Sequence, residues 1–264
     1  MNISKLTALA AVAVLCTAGC SGRAEKSSSP ASVAATTSAP PIGGPENSGE
    51  NYDSAKYLEM IKERAEKTEL DSEPLVLGSV GKLVSPESGA QDADLGDYRV
   101  SSSGVKLYYD EKLYPTELIL TLEKYFTALS EADYNTYRKC IFPSYLDEMD
   151  KFLKKKYDYD VKTSFAKQCS NLADMAEGDV TVTRIKLEEA KNYYEDSDNL
   201  TKYFERLDDL FDTDYYKSVQ DDSDRIIDAC FYLMGRTAGG EERILVGEYE
   251  IVFAEKDGRY YTFG

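Results

Sequence analysis

The sequence predicts an α+β domain in which N-terminal helices pack on a curved antiparallel sheet, preceded by a disordered stalk. Three observations carry this. Between residues 115 and 177 apolar residues recur at helical spacing; from residue 179 onward the period falls to two over several segments. Within 180–188 the alternation slips phase by one residue, because Val180 and Val182 belong to one face and Ile185 and Leu187 to the other. Such a slip marks a β-bulge and a bend in the sheet.

The N-terminus reads as an address. Lys5 is a short basic region, and Leu6 to Leu15 is an uncharged apolar run, too short to span a bilayer. It is followed by Thr17-Ala18-Gly19-Cys20. This tetrapeptide resembles the lipobox of bacterial lipoproteins, with Thr17 in place of the usual apolar residue. The resemblance implies removal of residues 1–19 as a signal peptide, diacylation of Cys20, and residence at the cell membrane on its extracytoplasmic face. Cys16 is a rival acceptor that lacks the small residue expected before it, and cleavage as an ordinary signal peptide is the alternative. Two acyl chains anchor stably where one binds reversibly. From Ser21 to about residue 50, Ser, Ala, Pro, Gly and Thr dominate without apolar periodicity. Such a tract cannot bury enough surface to offset its ordering entropy and reads as a flexible linker.

Residues 51–112 read as a short helix and an irregular, extended segment. Tyr57, Leu58, Ile61 and Ala65 share one helical face, while Pro74, Gly78, Gly81, Pro86, Gly89, Gly96 and Gly104 interrupt the apolar scraps that follow. The globular domain is placed at 113–264. Pro115 and Glu117 suit a helix start, and Leu118, Ile119, Leu122, Tyr125, Phe126 and Leu129 form its buried stripe. Asp133 caps a continuation, and Pro143 opens a helix with Tyr145, Leu146, Met149, Phe152 and Leu153 inward. A third helix runs from about Thr163, with Gly178 as its left-handed cap. After the bulged strand comes a helix carrying Leu200, Tyr203, Phe204, Leu207, Leu210 and Phe211. Residues 225–237 are apolar on both faces and read as a central strand. Residues 243–254 alternate with Leu245, Tyr249, Ile251 and Phe253 inward, and Lys256-Asp257-Gly258 turns the chain into a return strand at 259–263.

This order of elements, with its bulged strand, resembles the cone-shaped fold of nuclear transport factor 2 and ketosteroid isomerase, in which a curved sheet wraps a long helix and leaves a pocket. The resemblance covers about residues 113–264. The chain also resembles lipid-anchored proteins of Firmicutes. Fold alone does not set function.

The chemistry is sparse. The formal charge is −17, which disfavours nucleic acid and anionic head groups and leaves the lipid as the only expected membrane contact. There is no His, which excludes Ser-His-Asp and Cys-His sites and His-ligated metals. Neither a Walker loop nor a dinucleotide fingerprint is present, and no cofactor is expected. The acidic tracts at 208–214 and 221–224 do not reproduce a calcium loop, and no metal is expected. Asp228 is the candidate catalytic residue: flanked by Ile226, Ile227, Ala229 and Phe231, a buried carboxyl there would titrate high and act as a base. A strand residue facing water is the other reading. Cys140 and Cys169 form a possible disulfide, against three free thiols with Cys230 packed as small hydrophobes. The 21 tyrosines either line a binding surface or fill the core. The leading function is a non-catalytic module for a small molecule or envelope protein. A cofactor-free isomerase or hydratase and a structural accessory of the envelope are the alternatives.

Overall fold

The computed structural model describes residues 47–90, 92–191 and 197–264. The expected signal, lipid site and most of the linker lie outside the described residues. The fold is α+β, with seven α-helices and a strongly curled, half-barrel sheet of six strands among the described residues. The helices are α1 (Ser54–Lys67), α2 (Thr116–Ser130), α3 (Tyr134–Cys140), α4 (Pro143–Tyr157), α5 (Val161–Ala176), α6 (Asn199–Phe211) and α7 (Tyr215–Asp222). The strands are β1 (Arg99–Val100), β2 (Lys106–Tyr108), β3 (Val180–Glu188), β4 (Arg225–Thr237), β5 (Glu242–Lys256) and β6 (Arg259–Thr262), adjacent in that order. Among the described residues no helix is long and apolar enough to cross a membrane.

Helix α2 lies in the concavity of the sheet, packed against β3 and β6. Its expected stripe is fully buried, and Phe126 meets Phe231 of β4 at 5.0 Å between ring centres. Asp133 caps α3, accepting from the Thr136 N–H at 3.1 Å, and Asp160 caps α5 through the Thr163 N–H at 2.9 Å. The left-handed residue ending α5 is Glu177, not Gly178. Gly178 serves a different purpose: a Cβ there would fall 2.7 Å from the Ser48 hydroxyl oxygen, so only glycine lets the incoming chain pass.

The bulge expected in β3 is present, as a register shift between Val182 and Arg184. Further shifts in the β4–β5 pairing, from Phe231 to Met234, add to the curl. Of the inward set on β5, Phe253 and Leu245 are buried, while Tyr249 and Ile251 are partly buried against the core. Val246 and Val252 are buried too, so β5 is not the one-sided strand that its alternation suggests. The turn into β6 uses Asp257 and Gly258, both left-handed. Helix α7 was not anticipated; Tyr215 and Val219 anchor it, and the tract 221–224 begins at its end.

Contacts cross two of the expected boundaries. The last residues of the expected linker are tied to the end of α5, where the Gly49 N–H bonds the Glu177 carbonyl at 2.8 Å, and Tyr52 just beyond donates to Asp174 at 2.5 Å. The boundary near 113 separates nothing. Helix α1 packs Tyr57, Ile61 and Ala65 on α5, and Leu107 of β2 is fully buried in the common core. The sheet is not wholly antiparallel either, since β2 runs parallel to β3. A parallel pair needs a long crossover, and the whole helical layer α2–α5 supplies it.

Phe253 is 0% exposed at the centre of this packing. Phe253→Ala should destabilise the fold by about 3–5 kcal/mol, read as a lower midpoint in thermal melting followed by circular dichroism. A variant that melts with the parent would show that β5 does not close the core.

Candidate functional site

The sequence-derived candidates are scattered rather than convergent. Cys20 lies outside the described residues. Asp228 is half-buried, and its neighbours Ile227 and Ala229 are the ones that point into the core. With Cys230 and Tyr232 it occupies the sheet face turned away from α2. It lines neither of the two grooves described below. Its surroundings on that face are Tyr114, pushed up to about 12 by burial and then by Glu189 and Asp228, and Glu250, raised by burial and by Asp228. Cys140, Cys169 and Cys230 are free and buried, so the Cys140–Cys169 bridge is not formed. Burial pushes the Cys140 thiol up to about 12 and Cys230 to about 11, which leaves neither as a ready nucleophile. Among the described residues no three acidic or cysteine side chains converge as a metal-ligand set. Many tyrosines fill the core: Tyr125 donates to Gln168 at 3.2 Å, and Gln168 donates to Tyr137 at 3.3 Å, between rings that pack on each other.

Two arrangements that sequence reasoning missed carry most of the polar chemistry. On the outer sheet face, Asp92 accepts from Lys106 at 2.5 Å and Tyr108 at 2.9 Å, and meets Arg184 at 3.3 Å. Arg184 continues to Glu242 at 2.6 Å, and Glu242 to Arg236 at 2.9 Å. Burial alone would raise the Asp92 carboxyl, but the Lys106 and Tyr108 hydrogen bonds and the Lys106 charge outweigh it and hold it at about 2. Each charge in this chain meets at least one opposite charge, and together they staple the segment around Asp92 to β2 and β3.

The second is Glu123 of α2, 1% exposed. It accepts from the Ser101 hydroxyl at 2.7 Å, and that hydroxyl in turn accepts from the Val105 N–H at 3.1 Å. Its other carboxylate oxygen is buried without a partner. Burial raises its proton affinity, partly opposed by Ser101 and Lys124.

Concave surface is found elsewhere. The extended segment 71–77 crosses the helical layer and is pinned at Asp71, which accepts from Lys139 at 2.5 Å and from Asn135 at 2.6 Å. Those two bonds hold the Asp71 carboxyl at about 2. A groove of about 610 Å³ lies between this strap, α3, the start of α4 and β6. Leu75, Leu77 and Leu146 give it apolar walls, and Arg138, Arg259 and Tyr260 its polar ones. The Arg138 Nε–H is buried and unpartnered, although its Nη2 donates to the Asp71 carbonyl. A smaller groove of about 350 Å³ flanks the other side of the strap. Volumes in this range suit small ligands. No protein-family model, curated protein or solved structure matches this chain.

The buried Glu123 carboxyl makes a testable pH statement. Its folded-state pKa lies above the ordinary 4.5, so its contribution to stability is fully present below 4.5 and is lost as pH rises through the folded value. Glu123→Gln should therefore melt higher than the parent near pH 7, with the difference closing towards pH 4. An equal difference at both values, or a lower midpoint at pH 7, would remove desolvation of the carboxylate as the cause.

Proposed function

We propose that this chain is a surface-anchored lipoprotein, tethered through Cys20 on the extracytoplasmic face of a membrane, whose folded part is a non-catalytic binding module. The site is the larger groove beside the 71–77 strap. One observation carries the choice of site: an open groove of about 610 Å³ whose lining joins apolar walls from Leu75, Leu77 and Leu146 to the guanidinium groups of Arg138 and Arg259. Apolar walls with a few convergent polar groups are the usual make-up of a ligand site.

The cofactor-free enzyme reading is the weaker one, because Asp228 lines neither groove and burial raises the Cys140 and Cys230 thiols. The likeness to the cone fold stays a proposal based on the curl of the sheet around α2. A structural accessory remains the competing class, and it has no use for an open groove.

Two measurements test these readings. Cells fed a labelled fatty acid should tag the parent chain and not Cys20→Ala; equal labelling of both removes the anchor. A screen of small carboxylate and amide fragments by NMR should shift signals from residues 71–77, 138–147 and 259–261. Shifts confined to other parts of the surface, or none at all, remove the groove as a binding site.

A further inference from the structure

We infer that the groove takes an extended peptide segment bearing an acidic side chain, held as an added strand on the main chain of Tyr260. This rests on the groove being the binding site. The geometry begins at the Asp257-Gly258 turn, which pairs Lys256 with Arg259 and then Ala254 with Tyr261. In a two-residue hairpin these pairs exchange hydrogen bonds, whereas Tyr260 and Thr262 turn their N–H and C=O groups away from β5. The Phe142 N–H bonding the Thr262 carbonyl at 2.8 Å fixes that direction, and Ile141 bridges Thr262 as a short parallel partner. Tyr260, one step earlier, lines the groove and meets no such partner strand among the described residues. Its main-chain donor and acceptor thus form a short open sheet edge.

The other walls suit the same occupant. The strap runs extended, with Leu75 and Leu77 packed on the core and Val76 79% exposed between them. A segment lying between strap and β6 would place alternate side chains against those leucines. For charge, Lys139 is already paired with Asp71, whereas Arg259, which lines the groove beside Arg138, has no ion-pair partner among the described residues. A guanidinium is the side chain best fitted to a carboxylate. Glu73 and Asp147 line the same groove, so both signs are present. That mixture fits a peptide with its polar main chain better than it fits a simple anion.

The test is selection of phage-displayed random heptapeptides on the full chain in detergent, followed by affinity measurements on the synthetic winners. Enriched sequences should carry Asp or Glu together with apolar residues at alternate positions. Binding should weaken roughly tenfold with Arg259→Ser, and roughly tenfold when one particular peptide amide is N-methylated while its neighbours tolerate the change. Winners that bind Arg259→Ser as well as the parent, or tolerate N-methylation at every position, overturn the inference, as does selection without enrichment. If fragments shift the groove signals while no peptide is selected, only the peptide inference falls; if neither binds, the groove reading falls too.

Discussion

The fold depends on α2 lying in the concave face of the sheet. From Leu118 to Leu129 nearly the whole helix is buried, on the sides away from the sheet as well as towards it. A helix enclosed all round cannot keep a solvated face, so its polar residues must be satisfied by whatever covers them. Thr121 turns its hydroxyl back to the Glu117 carbonyl, and Glu123 meets Ser101. The β1–β2 hairpin therefore serves partly as a polar lid over α2. The loop turning between its strands places Ser101 where one hydroxyl satisfies both the carboxyl and the Val105 N–H.

The same constraint explains why the interior of the curl is filled rather than hollow. Phe126, Phe231, Tyr125, Tyr137 and Phe165 pack ring against ring, and Gln168 satisfies the phenol groups among them. A second aromatic group, Phe142, Tyr145, Phe204 and Phe263, joins the end of the sheet to α4 and α6. Tyrosine suits this packing because its ring adds apolar area while its hydroxyl needs only one partner. The abundance of tyrosine is thus largely a property of the core.

What was legible in the sequence was local. The stripe on α2, the bulge in β3 and the Asp257-Gly258 hairpin each follow from spacing within a few residues, and each is found where the spacing puts it. Residues 71–112 hid their structure because β1 and β2 are only two and three residues long and are held by a distant strand. No period can emerge from so few positions. The Asp92 staple joins residues on four separate segments, and the Arg138 groove depends on a strap that carries no motif. Asp228 is a related case. Strand alternation shows that neighbours oppose one another, but not which face the helices will cover.

Edges decide where this sheet can meet another chain. A curled sheet that stops at a half-barrel leaves two of them, and exposed edges invite pairing unless they are covered. At the β1 edge, the chain before it returns through bridges at Val80–Ser101 and Val84–Tyr98, which occupy the main-chain groups there. At β6, Ile141 and Phe142 cover Thr262. What remains is the position of Tyr260, beside a strap tied down by Asp71 and two arginines in a chain of net charge −17. On so acidic a surface, guanidinium groups beside an open main-chain edge make a local cationic spot. Their coincidence in one groove, away from the packed interior, is the strongest reason to look for the binding function there.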